Sequence, residues 1–181
     1  MELEEKKLSS TEIFDGVAIH LYKDEILLPD GNKSVREIIR HPGAVCVIPI
    51  TADGEIIFVN QFRYAFNKVT LEIPAGKLEK GEDPLDAGKR ELQEECGVIA
   101  DEIISMGTVY PTVAYCSEII YLYAAKKLTA TKQKLDEGEF LGVEKIRLSD
   151  AVKMVMDGEI SDSKTVALVL KLAKLREEGK F

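Results

Sequence analysis

Tryptophan is absent from the chain, and histidine and cysteine are scarce, at two and three residues. Cys46, Cys96 and Cys116 are odd in number, far apart and set among apolar neighbours, so they read as free, buried thiols rather than as disulfides or zinc ligands. His20 and His41 are equally isolated and read as structural. No run approaches the roughly eighteen apolar residues that a membrane span requires. The first seven residues, Met1-Glu2-Leu3-Glu4-Glu5-Lys6-Lys7, have no apolar core of a secretory signal, so a cytoplasmic address is expected. The excess of 32 acidic over 24 basic residues gives a formal charge of −8 and argues against unspecific nucleic-acid binding. It leaves room for a small phosphorylated ligand, because a metal ion and a few arginines can reverse the potential locally.

What is present reads as one domain of 181 residues, 45% of them hydrophobic, with no repeat and no low-complexity linker. Gly16 to Leu28 alternates loosely, turns at Pro29-Asp30-Gly31-Asn32 and continues from Ser34 to Arg40, which predicts an N-terminal hairpin or meander. Ala44 to Ile50 (AVCVIPI) is almost wholly apolar and predicts a strand buried on both faces. Asp53-Gly54 turns it into Glu55 to Phe62 as a hairpin, and a short strand Thr70 to Ile73 follows. Strands are also expected over Ile103 to Tyr110, Glu118 to Ala125 and Phe140 to Leu148. Helices are expected near Asp150 to Met156 and Ser163 to Glu178, the latter burying Val166, Val169, Leu170 and Ala173. Strands, one helix, more strands and then helices predict an α/β (α+β) architecture, with a mixed sheet sandwiched between helices.

The strongest helix signals lie between these strands. Asp83 can cap, Pro84 suits the first helical position, Asp86 adds negative charge to the first turn, and Gly97 ends the helix. On that helix Glu91, Glu94 and Glu95 stand at i, i+3 and i+4 and share one face, which like charges disfavour. Arg90 can compensate Glu94 at i+4, while Leu92 and Cys96 anchor the opposite face. Taken alone, such a cluster is usually a solvated acidic face. Held by a core-facing stripe beside a loop carrying Gly76 and Gly81, it is also what a hard, oxygen-seeking cation requires.

The whole window decides between the two. Residues 76 to 98, GKLEKGEDPLDAGKRELQEECGV, carry Gly76, Glu82, Arg90, Glu91, Leu92, Glu94, Glu95, Gly97 and Val98 at every specified position of the Nudix signature. The chain therefore resembles the Nudix hydrolases, which implies an α/β/α sandwich whose signature forms a loop-helix-loop. The resemblance implies that Glu91 and Glu95, with the carbonyl of Ala75, ligate the metals, and that Glu94 binds metal directly or through water. It further implies that Arg90 orients the glutamates and that Glu82 fixes the loop. Magnesium is the expected cofactor, and manganese can substitute.

Matches outside the signature resemble the ADP-ribose pyrophosphatase branch: Val35-Arg36-Glu37, His41 to Val45, Gln61-Phe62-Arg63, Leu71 to Gly76, Ser117-Glu118 and Asp136 to Phe140. That resemblance implies hydrolysis of ADP-ribose, or a related nucleoside diphosphate sugar, to AMP and ribose 5-phosphate. It implies a homodimer in which N-terminal strands 1–42 are exchanged, ahead of a Nudix domain 43–181. Arg36 and Arg63 would grip phosphates or ribose, Glu72 and Glu118 would bind ligand hydroxyls or the base, Glu137 would be the general base, and Glu139 a further metal ligand. Gly138 and Gly142 would let that loop close. The sequence departs from the branch where Val113-Ala114 stand in place of the usual Pro-Gly, and where Val17 stands in place of an aromatic ring. Two alternatives follow: a Nudix pyrophosphohydrolase acting on another nucleotide sugar, dinucleotide or dinucleotide cofactor, and a non-catalytic nucleotide-sugar sensor.

Overall fold

The computed structural model describes residues 3–181, which fall into two compact units, 3–43 with 110–119 and 44–109 with 120–181. The first unit is a meander of β1 (Lys6–Asp15), β2 (His20–Leu27) and β3 (Lys33–Arg40), antiparallel throughout. Strand β1 was not legible in the sequence, since KKLSSTEIFD alternates weakly and every one of its residues is exposed. The 110–119 segment joins this unit by backbone bonds from Ile39 N–H to Tyr115 and from Ser117 N–H to Ile39.

The second unit contains β4 (Ala44–Pro49), β5 (Glu55–Arg63), a 3-10 turn at Tyr64–Phe66, β6 (Lys68–Glu72), β7 (Ala75–Lys77), α1 (Pro84–Cys96), β8 (Val98–Val109), β9 (Ile120–Ala130), β10 (Leu141–Arg147), α2 (Leu148–Met156) and α3 (Ser163–Glu177). One sheet runs β7-β4-β9-β8 and the other β10-β5-β6. The first sheet is mixed, because β4 and β9 run parallel while its other pairs are antiparallel. The β4–β5 hairpin expected from Asp53-Gly54 is reduced to a single bridge between Ile50 and Ile56. Strand β4 is buried on both faces and takes the interior of the mixed sheet, so the turn hands the chain to the second sheet.

Alternation along β4 builds two cores. Ala44, Cys46 and Ile48 face a cluster completed by Phe58, Ile73, Ala151, Leu168 and Leu172, which brings in α2 and α3. Val45 and Val47 face a second cluster with Ala87 and Leu92 of α1, with Cys96 packed against it. Helices on both faces of a mixed sheet form the expected sandwich. On α3 the buried stripe is Thr165, Leu168, Val169 and Leu172; of the expected Val166-Val169-Leu170-Ala173 stripe, Val169 is buried and Val166 packs half-buried against the same cluster, while Leu170 faces outward. Asp162 caps the helix, and Lys164 and Thr165 in its first turn are buried, bonded to Glu72 and to the backbone of Ile73.

Helix α1 begins and ends as its sequence dictates. Asp83 accepts hydrogen bonds from the backbone of Leu85 (2.8 Å) and Asp86 (3.4 Å), and Pro84 fills the first helical position. Gly97 closes the helix at φ 62°, donating to Gln93, in the left-handed region that favours glycine. A Cβ there would also lie 2.9 Å from the backbone nitrogen of Gln133. Gly97→Ala is expected to lower the unfolding free energy by more than about 1 kcal/mol, read as a reduced denaturant midpoint at unchanged slope.

Candidate metal centre

Helix α1 sets its acidic face against the β6–β7 connection. Glu95 is 4% exposed, and its Oε2 accepts from the backbone N–H of Ala75 at 2.9 Å. Burial pushes its carboxyl up to about 8; the Ala75 N–H opposes this, while the charges of Glu91 and Glu139 add to it. Glu91 is also buried, and its carboxyl is raised chiefly by burial, against the pull of Arg90 and with help from Glu94 and Glu139. Gly76 is required at its place, because a Cβ there would lie 1.8 Å from Oε1 of Glu91. No larger residue lets the carboxylate reach the backbone so closely.

Arg90 ties the rest together. Its Nε donates to Oε1 of Glu82 (2.9 Å), and its Nη2 donates to Oε2 of Glu82 (3.0 Å) and to the carbonyl of Lys77 (3.2 Å). Its Nη1 donates to Glu91 (2.6 Å) and Glu94 (2.9 Å). Glu82 in turn accepts from the backbone of Glu79 at 2.9 Å, fixing the loop between β7 and α1. The guanidinium pKa is raised, first by Glu82, so Arg90 is a permanent cation among carboxylates.

Segment 131–134 crosses the C-terminal end of α1, which no motif announced. Thr131 N–H donates to Gly97 (2.7 Å), Lys134 N–H to Glu94 (3.0 Å), and the Gln133 side chain to the carbonyl of Glu95 (2.6 Å). These bonds satisfy helix-terminal carbonyls that would otherwise lack partners. They also aim the following loop, so that the charge of Glu139 is felt at both Glu91 and Glu95. Glu137 is exposed on the same loop beside Gly138 (φ 87°). Gly142, expected in the loop, lies within β10 opposite Asn60.

Among the described residues no three Asp, Glu, His or Cys side chains converge as a ready-made cation cage. The donors are nonetheless all oxygen, carboxylates with one backbone carbonyl, and two of the carboxyls are buried with raised pKa values, the chemistry a divalent cation stabilises. Nudix hydrolases generally use a divalent metal.

The remaining candidates divide between the two units. In the first, Arg36 is held by Glu5 and lines a hollow of about 540 Å³ with Tyr115 and Ala114. Glu118 lies 3.8 Å from Nδ1 of His41. In the second unit, Arg63 and Glu72 pair with each other through two bonds of 2.7 Å. Glu72 also accepts from Thr70 (2.6 Å) and from Lys164, so both of its oxygens are saturated. The three cysteines are free, and burial holds the thiols of Cys46 and Cys96 up in the protonated form.

Burial alone would raise Glu72, but Arg63, Lys164 and Thr70 override it and hold the carboxyl down at about 2, against an ordinary 4.5. This depressed pKa contributes stability that is fully present above pH 4.5 and lost as the pH falls toward about 2, on the order of 3 kcal/mol. Glu72→Gln is therefore expected to destabilise the protein by about 3 kcal/mol at neutral pH. It should also flatten the decline of the urea midpoint between pH 4.5 and about 2; an unchanged slope there would refute the assignment.

Comparison with known proteins agrees with this geometry. The family model described as NUDIX domain matches residues 40–169. The chain is 42% identical over 177 residues to the "ADP-ribose pyrophosphatase" of Bacillus subtilis (strain 168), covering 97% of this chain and 95% of that protein. It is 42% identical over 168 residues to the "Methanol dehydrogenase activator" of Bacillus methanolicus, covering 92% and 91%. The solved structure described as an ADP compounds hydrolase superposes with a TM-score of 0.88 over 100% of both chains at 20% identity, a likeness of fold. With the signature helix, its glycine-lined carboxylates and a family match over most of its length, the chain belongs to the Nudix family and is a Nudix hydrolase.

Proposed function

We propose that the protein hydrolyses the diphosphate bond of ADP-ribose to AMP and ribose 5-phosphate, using magnesium, with manganese able to substitute. The observation that carries this reading is the packing of Glu91 and Glu95 against Ala75–Gly76, with Glu94 and Glu139 adding negative charge. The 42% identity to an ADP-ribose pyrophosphatase over nearly the whole chain supports the substrate. A diphosphate repels nucleophiles, and bound divalent ions neutralise its oxygens and acidify a water molecule. Glu91, Glu95 and the Ala75 carbonyl would hold the ions, with Glu94 and Glu139 completing the set. The side chains otherwise position and neutralise.

Arg90 and Glu82 keep the signature loop and its carboxylates in place. Arg63 spends Nε and Nη2 on Glu72 and retains Nη1, with a side chain 41% exposed, for a phosphate or ribose. Glu72 thereby serves the substrate through Arg63. Arg36 and Glu118 supply further ligand contacts, and Glu137, exposed beside Gly138, takes the proton of the attacking water. The fully exposed β1, with Leu8, Ile13 and Phe14 open to solvent, supports a homodimer built on the N-terminal strands. No helix among the described residues is long and apolar enough to cross a membrane. The free thiols support a cytoplasmic setting.

A second reading, another nucleoside diphosphate derivative as substrate, is favoured by Val113-Ala114 and by Val17, whose side chain is wholly exposed. A panel of ADP-ribose, other nucleotide sugars, dinucleotides and dinucleotide cofactors, assayed with magnesium, separates the two; ADP-ribose is expected to rank first, and a low rank would overturn the first reading. Glu91→Gln and Glu95→Gln are each expected to lower kcat by at least about a hundredfold with the fold intact. Glu137→Gln is expected to lower kcat by about 10²–10⁴ with little change in metal affinity. Turnover unaffected in all three would sink the hydrolytic assignment.

A further inference from the structure

Five residues, Glu72 to Gly76, run from the end of β6 into β7 and touch both buried glutamates of α1. Ala75 donates its N–H to Glu95 at 2.9 Å, and Gly76 lies against Glu91. The other end of this strap is gripped by the first turn of α3. The Ile73 N–H donates to Thr165 Oγ1 (2.9 Å), and that hydroxyl donates to Asp162 Oδ2 (2.6 Å). Lys164, 8% exposed, bonds Glu72 Oε2 and lies 2.9 Å from Asp162 Oδ2. In the middle, the carbonyl of Pro74 accepts from Val47 of β4 at 3.0 Å.

Neither Lys164 nor Thr165 belongs to the signature, and the sequence marked neither. Both are buried and polar, where an apolar pair would pack a helix against a core at least as well. What the polar pair adds is register. A threonine hydroxyl that accepts from one fixed N–H and donates to one fixed carboxylate allows a single position for Ile73. Two residues further on, the same backbone presents its N–H to Glu95. A slip of the strap at Ile73 is carried to Ala75 and Gly76, because Pro74 and the Val47 bond leave little slack between them.

We propose that Lys164 and Thr165 are positioning residues for the metal centre, acting through the Glu72–Gly76 strap on Glu91 and Glu95. The inference rests on the divalent-cation reading of that glutamate cluster. Groups that only orient ligating side chains typically change metal affinity by 10- to 100-fold when removed. Manganese binding to the free enzyme, followed by electron paramagnetic resonance without substrate, gives a readout separate from turnover. Thr165→Val, nearly isosteric but unable to bond Ile73, and Lys164→Met are each expected to weaken manganese binding by about 10- to 100-fold while keeping the circular dichroism of the unaltered protein. Thr165→Ser, which keeps the hydroxyl, is expected to bind within about threefold of it. Equal binding in all variants would overturn the inference and leave the metal reading standing. Variants that fail to fold at all would show a merely structural role and overturn it too. No manganese binding by the unaltered protein would instead bring down the metal reading, and this inference with it.

Discussion

The site depends on a conflict between burial and charge on one face of α1. Two carboxylates, Glu91 and Glu95, are removed from water, and desolvation is the first cause of the raised pKa of each. Ion pairing answers only part of this, since Arg90 divides its donors among Glu82, Glu91 and Glu94 and makes no bond to Glu95. Glu95 has one backbone N–H instead. A helix that served stability alone would place leucine there. The demand for close approach then propagates outward: Gly76 has no side chain to obstruct Glu91, and Gly88 lets α1 settle onto Val45 and Val47 of β4.

The two arginines near this face are used in different ways. Arg90 is a hub within the signature, its fork shared by three carboxylates and one carbonyl. Arg63 is oriented by a single saturated carboxylate and keeps one edge of its fork open. Lysine could replace neither without losing planar, two-point contact. The carboxyl of Glu72 is held low because, against its burial, it answers two cations, Arg63 and Lys164, at once. Two bonds to one carboxylate fix the Arg63 fork and remove rotamer freedom from its side chain.

The sequence was most legible where local chemistry and tertiary environment agree. Asp83, Pro84 and Gly97 bound α1 as read, and AVCVIPI becomes the doubly buried β4. The signature glutamates do share one face. Features settled by long-range partners were not legible. Strand β1 is polar and wholly exposed, so it carries no burial pattern to read. Strand β7 is three residues long and defined only by pairing with β4. Lys164 and Thr165 resemble ordinary first-turn residues until Glu72 and Ile73, ninety-two positions away in sequence, appear opposite them. On α3 only part of the buried face, Val166 and Val169, was legible, for the same reason.

The parallel pairing of β4 with β9 has a consequence for how the protein comes to possess a site at all. Ala44 lies beside Ile120, and between them in the chain are the whole signature, its strap and α1. Parallel ladders between distant segments bear the full entropy of closing the intervening loop before contacts reward it. Helix α1 can form early from its own caps, but the surface that buries Glu91 and Glu95 exists only once that loop has closed. The desolvated setting of Glu91 and Glu95 is thus a property of the assembled sheet, and in a nascent chain the same glutamates stand in water like those of an ordinary acidic peptide.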